Sequence, residues 1–363
     1  MQHTTVKQLH DLGQSVWLDA LDRKMIHSGE LKARIENEGI RGVTSNPSIF
    51  EKAIVESTDY AADIKKYAAT GVDDESIFIS LAVEDIRDAA GLFAPLYKAE
   101  NGADGYVSLE VSPRLARQKD ASIAQAESLW QAVNRPNVMI KIPGTQECLP
   151  AIRECTRQGL NINITLLFGL ERYRAVADAY LSGLEDRLKD QKSIEKIASV
   201  ASFFLSRIDV ITDPLLEEKG QPELKGETAI ACAKEAYQIY REIFGGERFA
   251  RLKSRGAKTQ RLLWASTGTK DPAYSDVKYV EPLIGPDTIN TMPIKTLKAY
   301  LDHGHPESRL EEAPEKSAAL LEQLKKAGID LDEITDRLET EGIEKFCKPY
   351  DKLLQAIAER RTG

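Results

Sequence analysis

Hydrophobic positions along the chain follow two patterns in turn. Short, nearly continuous apolar runs, the mark of strands buried on both faces, alternate with longer stretches in which apolar residues recur every three or four positions, the mark of amphipathic helices. A lead-in helix is predicted over Val6–Leu12, stopped near Gly13, and a first strand over Ser15–Asp19 ends on a carboxylate. Further strands are predicted at 42–46, 106–111, 138–142, 161–168, 197–204, 261–266 and 288–292. Between them the pattern predicts helices at 30–36, 121–133, 148–158, 170–188, 228–244 and 295–302, with an irregular stretch before 228. Residues 49–100 read as two helices about the Thr70-Gly71 break, with Ile77, Leu81, Ile86, Ala90 and Phe93 on the buried stripe.

Eight strands with helical crossovers predict an α/β fold, a closed (β/α)8 TIM barrel with additional N-terminal and C-terminal helices. An open doubly wound sheet is the alternative. No GxGxxG segment follows the first strand, which argues against a dinucleotide-binding domain. The expected organisation is a single domain over 1–363, with a barrel core near 15–303 and a helical extension over 304–363. That extension reads as helices at 313–327, 331–338 and 341–357 packed outside the barrel.

Composition narrows the function. At 363 residues, 42% hydrophobic and 29% charged, the chain has the apolar content of a globular protein with a substantial core. Its 49 Lys and Arg against 57 Asp and Glu give a net charge of −8, which does not suggest a nucleic-acid surface but leaves room for a local basic pocket. Cys148, Cys155, Cys232 and Cys347 form no CxxC pair and no metal-ligand cluster with histidine, so reduced thiols in a cytoplasm are expected. No run approaches the roughly 20 apolar residues of a membrane span, and the N-terminus lacks a secretory pattern.

The chemistry centres on Val138-Met139-Ile140-Lys141-Ile142-Pro143-Gly144-Thr145, which puts an ammonium in an apolar strand. Such a lysine either faces water at a sheet edge or sits, partly desolvated, at a barrel mouth where its amine can attack a carbonyl. Asn161, Asn163 and Thr165 alternate with Ile162, Ile164 and Leu166, a polar set on one strand face that is either a wet edge or an interior hydrogen-bonding wall. Asp19 and Glu110 close their strands at the end where barrels place catalytic groups, although solvent-facing caps would read the same. Ser202, Arg207, Ser266, Thr267, Gly268, Thr269 and Lys270 could hold a phosphate near the ends of strands six and seven. Loops of this composition also occur without ligands, and no P-loop is present.

These residues carry a resemblance. Gly42-Val43-Thr44-Ser45-Asn46-Pro47-Ser48, Ile140-Lys141-Ile142-Pro143-Gly144-Thr145 and the fifth-strand segment Asn161–Phe168 resemble the transaldolases, of the longer bacterial type, within the Schiff-base aldolases. The resemblance implies transfer of a dihydroxyacetone unit from a ketose phosphate to an aldose phosphate, linking sedoheptulose 7-phosphate and glyceraldehyde 3-phosphate with erythrose 4-phosphate and fructose 6-phosphate. It implies no cofactor and no metal, small-molecule sugar phosphates as partners, no nucleic acid or membrane, and a monomer or homodimer.

Carried over, Lys141 is the Schiff-base nucleophile, Asp19 handles the C4-hydroxyl proton, and Glu110 works through a water near Thr165 and Ser202. Asn46 and Asn163 hold the three-carbon fragment, and Arg207 binds phosphate. Ser266 and Lys270 stand where shorter members place a second arginine in a different loop, a departure from the family pattern. Two other functions share these features. One is an aldolase that releases free dihydroxyacetone, and the other is a catalytically silent sugar-phosphate binder.

Overall fold

The computed structural model describes residues 4–362. Eight parallel strands close on themselves in chain order: β1 (Gln14–Leu18), β2 (Gly42–Val43), β3 (Tyr106–Glu110), β4 (Val138–Pro143), β5 (Ile162–Leu167), β6 (Ser199–Phe204), β7 (Gln260–Ala265) and β8 (Thr288–Met292). The seam pairs β1 with β8 over consecutive residues, from Gln14 opposite Thr288 to Leu18 opposite Met292. The sheet is therefore a barrel surrounded by helices, and the open-sheet alternative falls.

Strand positions follow from packing. Gly42 is a glycine because a Cβ there would lie 2.6 Å from the ring of Trp17 on β1. Beside the same ring, buried Asp104 ties β1 and β7 to Arg41, the residue before β2. Its carboxylate accepts from Ser15 Oγ (2.5 Å) and Trp17 Nε1 (3.1 Å), and from Arg41 Nε (2.9 Å), while Arg261 lies 3.5 Å away. Burial alone would raise this acid, but Arg261 and Arg41 outweigh it and hold the carboxyl below its ordinary value.

The structure departs from the sequence reading in several places. Strand β2 is only two residues long, because Asn46 turns the chain into the helix Pro47–Glu56, its Oδ1 accepting from Ile49 N with Pro47 in the first turn. Residues 49–100 form three helices, Pro47–Glu56, Ala61–Ala68 and Asp74–Ala99. The helix predicted at 30–36 starts as Glu30–Ala33 and finishes as a π-turn over Arg34–Glu38. A helix, Ser206–Glu218, occupies the expected irregular stretch; its buried face mixes Ile208 and Leu216 with Asp209, Thr212 and Asp213, which breaks the apolar period.

The C-terminal segments predicted at 331–338 and 341–357 are one continuous helix, Leu331–Thr362. It does not simply lie outside the barrel. Gly342 passes over Leu166 and Phe168 at the end of β5, and Arg360 donates to the carbonyls of Val55 (2.8 Å) and Ser57 (2.9 Å) that end the helix Pro47–Glu56. The helix thus crosses the face of the barrel where the strands terminate. Among the described residues no helix is long and apolar enough to cross a membrane.

Candidate active site

Side chains of register partners in parallel strands point the same way. Glu110 is the register partner of Lys141, and Lys141 that of Asn163, so β3, β4 and β5 present one polar layer that begins at the outgoing end of β3 and continues inside β4 and β5. The Lys141 ammonium donates to the Ser45 carbonyl at 3.0 Å and lies 3.2 Å from Glu110 Oε2. The edge-strand reading of Lys141 is excluded, since its side chain is 5% exposed.

Burial holds Glu110 above the ordinary carboxylate value, opposed by Lys141 and reinforced by Asp19. Neither Glu110 oxygen nor the buried Thr165 hydroxyl has a directed hydrogen bond from a protein group. Asp19, just past β1, is likewise raised by burial, against the Thr44 hydroxyl that donates to Oδ1 at 2.7 Å and against the charges of Lys141 and Lys270. Thr44 in turn meets the Thr291 hydroxyl of β8 at 2.7 Å.

A cavity of about 210 Å³ opens over this layer, lined by Asp19, Asn46, Lys141, Ser202, Ser266 and Lys270 with Arg207 among others. Asn46 offers its amide N–H groups there, its oxygen being engaged by the helix it caps. Glu110, Asn163 and Thr165 do not line the cavity; they stand behind Lys141. Asn163 donates to Ser108 Oγ at 3.0 Å and accepts from Ser202 Oγ at 2.7 Å, so its amide links strands β3, β5 and β6. The alternation expected along 161–166 ends at a bulge, where Leu166 takes φ 54°.

At the far side Arg207 and Lys270 stand together. Arg207 lies 6.0 Å over the Phe204 ring, its Nη1 is buried without a hydrogen-bond partner, and burial pulls the guanidinium below its ordinary value. Burial and the charge of Arg207 do the same to Lys270. A wider groove of about 1130 Å³ abuts the cavity at Asp19 and Pro293.

Sequence reasoning did not single out Thr44, Thr291, Phe204, Pro293 or Phe346 as part of the site. Thr44 stood inside a quoted motif and Thr291 on the inward face of β8. Phe346 carried no signal, because on an amphipathic helix an aromatic residue reads as core. Among the described residues no group of three or more His, Cys, Asp or Glu could hold a metal, and all four cysteines are free.

A closed (β/α)8 barrel with a buried lysine and two elevated carboxyls at its strand ends defines an enzyme of the barrel class, with its site at the customary face. The chain belongs to the transaldolase/fructose-6-phosphate aldolase family, whose model matches residues 16–357. It is 47% identical to Transaldolase 2 of Nostoc punctiforme, over 97% of this chain and 96% of the relative. It is 46% identical to the transaldolases of Trichodesmium erythraeum (97% and 96% covered) and Saccharopolyspora erythraea (99% and 98%). Its activity is that of a transaldolase.

Proposed function

We infer that the chain moves a dihydroxyacetone unit between ketose and aldose phosphates through a Schiff base on Lys141, exchanging sedoheptulose 7-phosphate and glyceraldehyde 3-phosphate for erythrose 4-phosphate and fructose 6-phosphate in the pentose phosphate pathway. The observation that carries this reading is the Lys141–Glu110 contact of 3.2 Å at the floor of a cavity whose far wall holds Arg207 and Lys270.

The amine becomes a nucleophile by passing a proton to Glu110, whose raised affinity for protons suits the task. The nitrogen lone pair adds to the donor C2 carbonyl, and water leaves as Glu110 returns the proton, giving an iminium. Glu110 and Thr165, with buried oxygens that take no protein hydrogen bond, are the groups available to that water. The iminium draws in the C3–C4 bonding pair while Asp19 takes the C4-hydroxyl proton. The aldose phosphate departs and an enamine stays on Lys141.

An acceptor aldehyde then takes up the enamine's electron pair, its new hydroxyl receives the proton from Asp19, and hydrolysis frees the product ketose. Asn46 would hold hydroxyls of the three-carbon fragment, with Ser202 on the cavity wall and Asn163 behind it. Arg207 and Lys270, with the Ser266 hydroxyl, suit a phosphate dianion that neutralises two adjacent cations. The setting is cytoplasmic, as a monomer or homodimer acting on sugar phosphates alone.

Incubation with fructose 6-phosphate, with and without erythrose 4-phosphate, tests the reading. Sedoheptulose 7-phosphate formed only with the acceptor is expected. Free dihydroxyacetone at the same rate without acceptor would instead make the chain an aldolase.

A further inference from the structure

The connection from β7 to β8 brings Ser266, Gly268 and Lys270 to the cavity, yet over residues 266–287 its only helical piece is the short turn Glu281–Leu283. Its ends are held by backbone bonds, Ser206 N donating to the Ser266 carbonyl (3.2 Å) and Arg309 N to the Ile284 carbonyl (2.9 Å), and a stretch of that length without a ladder of its own needs side-chain anchors between them. Two carboxylates one turn apart on the helix Ser206–Glu218 anchor it. Asp209 accepts from the Tyr279 hydroxyl at 2.7 Å and, through its other oxygen, from Ala229 N at 2.8 Å. Asp213 repeats the arrangement with the Tyr274 hydroxyl at 2.7 Å and Gly226 N at 2.7 Å. Both acids are buried, 2% and 8% exposed.

The fit around them is close. Gly226 takes φ 76°, and a Cβ there would come within 2.8 Å of the Tyr274 ring. The Tyr279 carbonyl accepts from Asn290 of β8 at 3.0 Å. The helix that carries both acids also carries Arg207 in its first turn. Arg207 and Lys270 therefore depend on one helix and one loop for their separation. Their like charges repel, so a loop free to move would carry Lys270 away from Arg207.

We propose that the Asp209–Tyr279 and Asp213–Tyr274 bonds position Lys270 beside Arg207 and thereby set the enzyme's affinity for the phosphate of its substrates; this rests on the reading of those two cations as phosphate ligands. All four are positioning residues, acting through Lys270 and touching no substrate.

Tyr274→Phe, Tyr279→Phe and the double variant keep the rings and remove only the hydroxyls. The measurements are kcat and KM for erythrose 4-phosphate and for erythrose as acceptors, with inhibition by inorganic phosphate. In the double variant the KM for erythrose 4-phosphate and the inhibition constant for phosphate should both rise about tenfold, while kcat and the constants for erythrose hold within about twofold. In a Lys270→Ala background the same pair should cause no further loss, because the residue they position is gone. Unchanged phosphate inhibition, a parallel loss with erythrose, or losses that multiply with Lys270→Ala would each overturn the proposal.

Should the double variant fail to fold, Tyr274→Phe alone, at the half-buried ring, is expected to raise both constants about threefold, and no rise would overturn the proposal equally. Inorganic phosphate that inhibits Arg207→Ala and Lys270→Ala as strongly as the parent would instead refute the phosphate reading itself. Weakened inhibition in those two but not in the tyrosine variants refutes only the positioning.

Discussion

Glu110 and Lys141 are register partners on adjacent strands, and Glu110 Oε2 lies 3.2 Å from the Lys141 ammonium in surroundings that expose neither side chain by more than 5%. A buried pair of this kind is weak support for stability, because desolvation offsets most of the attraction. In the proposed mechanism its value is chemical: the acid takes and returns the proton of the amine.

Glu110→Gln preserves size and removes that proton acceptor. The expected result is a fall in kcat of about a hundred- to ten-thousandfold, with the folded state retained. Circular dichroism and steady-state kinetics check both parts. Turnover within about twofold of the parent would remove Glu110 from the mechanism.

Asp19 serves as a base only when ionised, and burial raises it while the Thr44 hydroxyl gives the largest opposing effect. Activity should therefore climb with pH along an acid limb lying above the ordinary aspartate range. Thr44→Val deletes a stabiliser of the charged form, so the limb should move to higher pH in kcat/KM profiles. A limb that stays in place or moves down contradicts the assignment.

Arg207 presents a planar fork to the cavity with Nη1 unpartnered. Arg207→Ala should depress kcat/KM for phosphorylated acceptors relative to unphosphorylated ones by about a hundredfold. Arg207→Lys should recover only part of that preference, since an ammonium is a point charge. Equal losses for both acceptor classes would show that Arg207 does not read phosphate.

Phe346 closes the cavity from the C-terminal helix, its ring 6.5 Å from that of Phe204. Phe346→Ala should cost about 3–5 kcal/mol of stability and admit water to the enamine. Product analysis should then find more free dihydroxyacetone per transfer event than the parent gives. An unchanged ratio would mean that the helix does not shield the intermediate.

Much of this was legible in the chain because parallel barrels impose two strong patterns. All eight strands were placed, most of them from apolar runs, and β8 at Thr288–Met292, a weaker pattern of mixed polarity, matches the reading residue for residue. Lys141 stood out because an ammonium in such a run requires an explanation. What escaped notice depends on contacts between distant segments. The helix Ser206–Glu218 was hidden because Asp209 and Asp213 turn inward to loop tyrosines, so its buried face does not read as apolar. The C-terminal helix gave its length and face but not its path, which is set by what lies beneath Gly342 and Phe346. The strand face of Asn163 left a wet edge and an interior hydrogen-bonding wall open, and the structure decides for the wall, with its amide bonded to Ser108 and Ser202.

In the proposed mechanism Lys141 forms the covalent bond. Borohydride reduction in the presence of fructose 6-phosphate, followed by peptide mass spectrometry, reads it directly. A reduced three-carbon adduct on the peptide carrying Lys141, absent from Lys141→Ala, is the predicted result. An adduct on Lys270 or another lysine, or none while the enzyme turns over, would contradict the account.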